Sequence, residues 1–257
     1  MARTTLSARS VLVTAVVVAL AAGAVGCGAS AADDKHPDHR SFALQGDTLT
    51  IDSDDSALEI VATDAAKTGA VAVTRWFEGS VTVGSDPKVT WSMKDDRLTL
   101  RMHCSGVIAD CSAKHRVEVP RGIAVKVEDD DGSVRAQGFR EALSVRAQDG
   151  SVHVTDSSGP LDLRTEDGSV RAEVASRSVR TRTEDGSVRL DLSAVPDRVD
   201  SVSEDGSVTI ALPAASYRVS TKTDDGGVDV SVPRDASSAH VVSARTADGK
   251  VTVRNAN

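Results

Sequence analysis

One short sequence, Asp-Gly-Ser-Val, recurs at nearly regular intervals through the second half of this 257-residue chain. Counting two diverged copies, its glycines are Gly132, Gly150, Gly168, Gly186, Gly206, Gly226 and Gly249. Successive glycines are 18, 18, 18, 20, 20 and 23 residues apart. A period near twenty residues indicates that one small supersecondary unit is repeated, so this repeat constrains the fold more than any other feature.

Each repeat has the pattern of two short strands joined by turns. In one copy the apolar residues Val170, Ala172 and Val174 alternate with Arg171 and Glu173. This period of two is typical of a strand with one buried face and one solvated face. Aromatic residues are only 2% of the chain, which favours a thin core filled by valine, alanine and leucine.

Two all-β folds fit this pattern. In a β-solenoid, which is similar to a parallel β-helix, each repeat is one coil of two strands, and each glycine takes a tight corner in a stack of corners. In an antiparallel β-meander, each Asp-Gly dipeptide is instead the turn of a two-residue hairpin. We expect the solenoid, because only stacking requires successive turns to be nearly identical in sequence.

Stacking would also align the aspartates of the tetrads, including Asp167, Asp185, Asp205 and Asp225. Carboxylates in such a column repel one another unless arginines screen them or Ca²⁺ lies between them. The chain lacks the glycine-rich nonapeptide of calcium-binding β-rolls. We therefore expect solvated aspartates balanced by arginine, with no metal and no cofactor.

Residues 1–26 have the pattern of a signal peptide. Arg3 and Arg9 precede an uncharged, largely apolar stretch at residues 11–25, which ends in small residues before Cys27. The sequence Ala-Val-Gly-Cys resembles a bacterial lipobox, and the resemblance implies that Cys27 is diacylated and becomes the mature N-terminus. An ordinary secretory peptide is the alternative. The polar residues 27–40 are expected to form a flexible tether, and residues 41–257 a single elongated β-repeat domain.

The two remaining cysteines, Cys104 and Cys111, lie seven positions apart. In an exported chain, an even pair at short spacing indicates a disulfide. His103 and His115 flank the pair, so a Cys/His metal site is the alternative. The paired spacings of common zinc sites are missing, and we therefore expect the disulfide.

Residues 41–127 lack the tetrad but keep the alternation, as in Leu98, Leu100 and Met102. We expect irregular N-terminal coils here that cap the regular repeats of residues 128–257, because a solenoid needs atypical ends. The aromatic residues Trp76 and Trp91 are interpreted as packing within this cap, with a platform for a ligand as the alternative.

Several motifs together resemble one family. They are the lipobox-like segment, Leu-Thr-Ile at 49–51, Asp-Pro-Lys-Val-Thr-Trp at 86–91, the cysteine pair, Val-Glu-Val-Pro at 117–120 and the repeated Asp-Gly-Ser-Val. The chain resembles actinobacterial lipoproteins with the DUF4097 domain, a β-strand-repeat family called adhesins by analogy. The resemblance covers about residues 41–255, and it implies a β-helix-like fold and a location in the cell envelope.

These features predict a non-enzymatic protein anchored by lipid to the outer face of the cytoplasmic membrane. It would be an adhesin or envelope scaffold that binds an unidentified surface ligand. The net charge of −8 argues against nucleic acid as a partner. An envelope-stress or signalling protein is the alternative. A polysaccharide-active β-helix enzyme is a remote alternative, because such enzymes need carboxylates clustered in a cleft.

Overall fold

The computed structural model describes residues 30–256, so the predicted signal peptide and Cys27 lie outside the described residues. The described residues form 21 β-strands, numbered β1 to β21 in chain order, and one short 3₁₀ helix at Ala31–Asp33. No helix in this part of the chain is long and apolar enough to cross a membrane.

The strands form two sheets that share one core. Sheet A contains, in spatial order, β1 (Asp38–Ala43), β4 (Ala70–Val81), β7 (Ala109–Pro120), β3 (Ser56–Thr63), β9 (Val134–Gln137), β11 (Val152–Thr155), β13 (Val170–Val174), β15 (Val188–Leu192), β17 (Val208–Leu212), β21 (Val251–Asn255) and β19 (Val228–Val230). Sheet B contains β18 (Arg218–Asp225), β20 (Val241–Asp248), β16 (Arg198–Asp205), β14 (Ser178–Asp185), β12 (Leu161–Asp167), β10 (Leu143–Asp149), β8 (Ala124–Asp131), β2 (Thr48–Ser53), β6 (Arg97–His103) and β5 (Lys88–Lys94).

Each repeat is one coil that contains a strand of sheet B, a corner made by the tetrad, and a strand of sheet A. Successive coils pair in parallel and in register, so that Asp149, Asp167 and Asp185 are aligned on sheet B. Val152 and Val170 are aligned in the same way on sheet A. The β-solenoid prediction is therefore confirmed. The antiparallel meander is wrong for the repeats, because the chain leaves each Asp-Gly corner to enter the other sheet.

The coils do not stack in chain order at the C-terminal end. β20 lies between β16 and β18 in sheet B, and β21 lies between β17 and β19 in sheet A. The last coil of the chain is thus inserted beneath the coil that precedes it. As a result Val251 is 0% exposed, whereas Val228, on the outermost coil, is 48% exposed.

The opposite end is closed by antiparallel strands. In sheet A, β4 pairs with β7 and β1 pairs with β4, while β5 pairs with β6 in sheet B. Phe42 on β1 and Trp91 on β5 pack edge to face, with ring centroids 6.2 Å apart. Because this contact joins the two sheets, the aromatic side chains close the core at this end.

The core between the sheets consists mainly of small apolar side chains in alternate strand positions. Val145 and Leu163, for example, are neighbours on sheet B with no exposed surface. Tyr217 is the largest fully buried side chain, and its hydroxyl donates to the carbonyl oxygen of Pro213 at 2.7 Å. The buried tyrosine therefore keeps a hydrogen-bond partner.

The flexible tether predicted for residues 27–40 is wrong for the part that the structure describes. Ala31 is buried, a carboxylate oxygen of Asp34 accepts the backbone N–H of Phe77 at 3.1 Å, and β1 begins at Asp38. β1 is an edge strand that pairs with β4. An edge strand needs only backbone pairing on one side, so the polar composition of this segment is compatible with a strand.

Candidate functional site

The repeated glycines lie at the corners of the coils. At Gly168 the φ angle is 156°, and a Cβ atom there would lie 2.2 Å from the carbonyl oxygen of Gly150 in the neighbouring coil. A Cβ atom at Gly186 would lie equally close to the carbonyl oxygen of Gly168, and one at Gly206 to that of Gly186. Both the positive φ and the close approach of the coils require glycine. The tetrad therefore belongs to the framework of the solenoid.

A row of hydroxyl groups on the inner side of the corner joins five pairs of neighbouring coils. The Thr183 hydroxyl donates to the Gly168 carbonyl at 3.0 Å, and the Ser203 hydroxyl donates to the Gly186 carbonyl at 2.8 Å. Equivalent bonds are made by Thr165, Thr223 and Thr246. The tetrad alone did not predict this row. The signal was present nevertheless, because a threonine or serine stands three residues before each of five glycines.

The first regular coil has a carboxyl group in this inner row. Asp129 pairs in register with Ser53 and is 3% exposed. Neither of its carboxyl oxygens has a hydrogen-bond partner of standard geometry among the described residues. Burial raises the pKa of Asp129 to about 7; the Ser53 hydroxyl opposes the rise in part, and the charges of Asp130, Asp131 and Asp54 add to it. This carboxyl group therefore changes its charge near neutral pH.

The aspartates of the tetrads form an exposed column along the corner. Asp167, Asp185 and Asp205 are aligned, but Asp248 lies next to Asp205, and Asp225 is one coil further out. Asp248 therefore lies between two aspartates of the predicted column, because the last coil of the chain is inserted between the two coils before it.

This column does not form a chelating cluster. Within residues 30–256 no group of three or more His, Cys, Asp or Glu side chains is arranged to hold a metal ion. A side-chain hydrogen bond with Asp131, together with the charges of Asp131 and Asp167, raises the pKa of Asp149. Proton uptake is one way in which neighbouring carboxylates reduce their repulsion.

We expect excess EDTA to leave the melting temperature of the protein unchanged. The aspartates point outward in a single line, and a line of exposed carboxylates does not supply the six to eight converging oxygen atoms that Ca²⁺ takes. The check is thermal unfolding with EDTA and with EDTA already saturated by Ca²⁺. A lower melting temperature with free EDTA alone would contradict this expectation and place calcium in the column.

Cys104 and Cys111 form a disulfide, so neither sulfur is available as a thiolate for the alternative metal site. His115, which that site would have used, is fully buried. Burial and the nearby Arg75 lower the pKa of His115 to about 4. The imidazole is therefore neutral at physiological pH, and it packs within the capped end at a ring-centroid distance of 6.4 Å from Trp91.

The two tryptophans are covered by cations. The Arg75 guanidinium lies 4.4 Å from the centroid of the Trp91 ring, and the Lys114 ammonium lies 5.3 Å from the centroid of the Trp76 ring. A cation over the face of an aromatic ring is attracted by the ring quadrupole. The same faces would have to be free to stack against a sugar. Trp91 also packs against the core, so the geometry favours cap packing over a platform for a ligand at Trp91.

A groove of about 340 Å³ crosses the outer face of sheet B. Small side chains at equivalent positions of three successive coils, Ala124, Ala142 and Pro160, form its floor. They precede the aligned residues of β8, β10 and β12. Because each coil contributes the same position, the groove runs across the strands and parallel to the axis of the stack.

Positive side chains border this groove. Lys126 and Arg180 lie along it, and neither has an ion-pair partner within 4.0 Å in the part of the chain that the structure describes. Asp162 also borders the groove, but its carboxylate is bound to Arg164 at 2.9 Å. Asp200 lies 3.9 Å from Arg198. Both carboxylates are thus at least partly neutralised.

A second depression, of about 240 Å³, adjoins the groove and shares Arg180 and Asp200 with it. Arg164 and Arg182 complete its charged lining. Taken together, the two depressions are lined by five cations, Lys126, Arg164, Arg180, Arg182 and Arg198, and by two carboxylates, Asp162 and Asp200. Arg182 is also paired with Glu204 at 3.1 Å, but the cations of this surface still outnumber its carboxylates, whereas the chain as a whole carries a net charge of −8.

The family comparison agrees with this architecture. The model of the family described as Toastrack DUF4097 matches residues 24–255. The chain belongs to the Toastrack DUF4097 family. The resemblance stated from the sequence motifs is confirmed at this level, and the assignment to lipoproteins of an actinobacterial type stays a prediction.

This Toastrack chain is similar to solved structures. A "putative adhesin" from Bacteroides fragilis is 13% identical, the match covers 87% of this chain and 98% of that one, and the TM-score is 0.53. A "putative cell adhesion protein" from Clostridium sporogenes is 12% identical over 86% of this chain and 100% of that one, with a TM-score of 0.40. No curated protein matches the chain. The Bacteroides structure supports only the assignment of the fold.

Proposed function

We propose that this chain is a non-enzymatic adhesin of the cell envelope that binds an extended anionic polymer in the groove of sheet B. The observation that carries the proposal is the reversal of charge at this surface. Five cations and two carboxylates line the groove and the adjoining depression, although the chain as a whole is acidic. A cleft lined mainly by one sign of charge attracts ligands of the opposite sign.

The geometry of the groove supports a polymer as the ligand. It spans the starts of six neighbouring strands of sheet B, from β2 to β16. The five spacings of about 4.8 Å between these strands cover about 24 Å. A chain molecule with repeated charges can therefore lie along equivalent positions of several coils. The floor carries no aromatic side chain, so the base stacking that single-stranded nucleic acids use is not available. We propose an envelope polymer such as a polyol phosphate.

Export and anchoring are supported by the sequence. The signal-peptide pattern and the lipobox-like Ala-Val-Gly-Cys support acylation of Cys27, and hence a position on the outer face of the cytoplasmic membrane. The names given to the Bacteroides and Clostridium proteins are in keeping with a role at the cell surface. The even spacing of acidic residues along the repeat supports a binding protein in preference to a glycosidase, whose two carboxyl groups flank one bond.

The test is equilibrium binding of the protein to purified polyol-phosphate polymer, with neutral polysaccharide and single-stranded DNA as comparison ligands. We expect the double variant Lys126→Ala/Arg180→Ala to bind at least about tenfold more weakly, because a hydrogen bond to a charged group contributes about 1.5–3 kcal/mol. Binding by the unchanged protein should also weaken as salt is added.

The matched control is Arg135→Ala/Arg171→Ala, which removes two exposed charges from the outer face of sheet A. It should bind the polymer within about twofold of the unchanged protein. Equal losses in both double variants would show a non-specific effect of net charge and would contradict the proposal. Capture of a single stoichiometric protein partner from membranes, with no polymer binding, would favour the envelope-stress alternative.

A further inference from the structure

A two-stranded arm projects from the capped end of the sheet. It consists of residues 78–84 and 104–112, and we call it the arm. In the arm β4 pairs only with β7, because the pairing of β7 with β3 begins at Ala113 and the pairing of β4 with β1 ends at Arg75. The disulfide between Cys104 and Cys111 lies within it. The backbone N–H of Val107 donates to the Val83 carbonyl at 2.7 Å near the tip.

The tip of the arm is apolar and exposed. Val83 is 59% exposed, Val107 is 81% exposed and Ile108 is 63% exposed. These are three of the four large apolar side chains that are exposed in the described part of the chain, and the fourth, Val228, is on the outermost coil at the other end. Isolated exposed apolar residues are ordinary, but three at one tip indicate an interaction site.

The N-terminal residues lie at the base of this arm. The short helix Ala31–Asp33 packs against β4 and β7, and Asp34 accepts the N–H of Phe77. The Phe77 ring and the sulfur of Cys111 flank Gly79 within the arm. The chain therefore enters the described structure beside the arm.

Chain length then limits the distance to the membrane. Only Gly28 and Ala29 separate Cys27 from Ser30, and three residues span at most about 11 Å. From Phe77 to the tip at Val83 the arm extends about 20 Å. If Cys27 carries a lipid, as the proposed function states, the bilayer surface lies within reach of the arm.

We propose that the apolar tip of the arm, Val83, Val107 and Ile108, inserts into the interfacial region of the lipid bilayer and fixes the orientation of the solenoid on the membrane. This inference rests on the lipid anchor of the proposed function. Asp86 and Asp110 lie within three residues of the tip, so the attraction comes from burial of apolar surface and not from charge. The contact should therefore persist at high salt.

The experiment uses the full lipidated chain in phosphatidylcholine vesicles that contain brominated lipid, which quenches indole fluorescence. One variant is Val107→Trp, and the matched control is Val228→Trp at the other end; both sites are exposed, so both substitutions should be accommodated. Trp76 and Trp91 contribute the same background to each. We expect most of the fluorescence of the indole at position 107 to be lost, at low and at high salt, and no loss from position 228.

Equal quenching at the two positions would overturn the inference. Mass spectrometry of the N-terminal peptide separates this outcome from a failure of the anchor. If Cys27 is acylated and position 107 is not quenched, the anchor stands and the arm does not insert. If Cys27 carries no lipid, the proposed anchor is wrong. The two tryptophan variants are then added to preformed vesicles, and stronger quenching at position 107 than at position 228 still shows that the tip enters lipid.

Discussion

Replacing Gly168 by alanine is expected to destabilise the protein by about 4 kcal/mol or more, or to prevent its folding. The new Cβ atom would lie 2.2 Å from the carbonyl oxygen of Gly150 and 2.7 Å from its carbonyl carbon. The φ angle of 156° adds backbone strain for any residue with a side chain. Because the obstacle is the backbone of the next coil, no rotation of a side chain can relieve it. Urea unfolding, or the soluble yield if the variant does not fold, provides the measurement.

Gly227→Ala is the matched control. It lies in a diverged tetrad on the outermost coil, and a Cβ atom there would meet nothing closer than the Lys250 Cγ atom at 4.0 Å. Its stability should remain within about 0.5 kcal/mol of the unchanged protein. If Gly168→Ala and Gly227→Ala unfolded at the same urea concentration, the close stacking of corners described for Gly168 would be wrong.

Replacing Asp129 by asparagine is expected to stabilise the protein at pH 8 and to change little at pH 4. The folded-state pKa of about 7 lies above the value of about 4 for an exposed aspartate in the unfolded chain. Between these values the folded state holds a proton that the unfolded state has lost. Stability therefore falls as pH rises from about 4 to about 7, and the contribution of this group is constant above pH 7.

The size of the effect follows from the difference in pKa. Three pKa units correspond to about 4 kcal/mol, and an asparagine without partners also costs free energy when it is buried. We therefore expect Asp129→Asn to be more stable than the unchanged protein by about 2–4 kcal/mol at pH 8. Urea unfolding at pH 4, 6 and 8 measures the free energy of unfolding of both proteins. Groups that titrate equally in the two proteins cancel in the difference.

The control for this prediction is Asp130→Asn, a change at the exposed neighbour on the same strand. Between pH 4 and pH 8, the stability of this variant should fall by most of the amount by which the stability of the unchanged protein falls. If Asp129→Asn lost stability with rising pH as steeply as the unchanged protein does, Asp129 would not be the buried group that titrates.

The architecture of the repeats could be predicted because their local and long-range requirements coincide. From Gly132 to Gly206, a glycine every 18 to 20 residues fixes both the corner of one coil and its contact with the next. Alternation of apolar and polar residues then assigns each strand side chain to the core or to solvent. The sequence motifs were also specific enough to indicate the family.

The order of the last coils could not be predicted in this way. The corners at Gly226 and Gly249 are both diverged, and both precede alternating valines, so each local sequence is compatible with an inner or an outer position. Whether a coil takes the inner or the outer position depends on how much apolar surface the whole coil buries. In the structure Val251 is fully buried and Val228 is not, and no pattern within either segment distinguishes them.

The groove was missed for a different reason. Its floor positions, Ala124, Ala142 and Pro160, are 18 residues apart and would be found by writing the repeats in register. They lie outside the tetrad, however, and small side chains give no chemical signal when considered singly. The buried Asp129 was hidden similarly, because it occupies a position where the next coil has alanine and the later coils have threonine or serine.

The acidic corner and the groove have separate roles in this account. The corner is exposed and acidic, but its glycines and hydroxyl row hold the coils together. The outer face of sheet B carries the positive surface. The sequence feature that is repeated most often therefore builds the scaffold, and the proposed binding surface consists of residues that vary from one coil to the next.

The most direct measurement of the central claim is the affinity of Ala142→Trp for polyol-phosphate polymer. Ala142 is exposed on the floor of the groove, so the indole would fill the groove without entering the core or changing the net charge. The control is Thr209→Trp on the outer face of sheet A. We expect Ala142→Trp to fold normally and to lose at least about tenfold in affinity, while the control binds as the unchanged protein does. Full binding by Ala142→Trp would contradict the claim that the groove is the binding site.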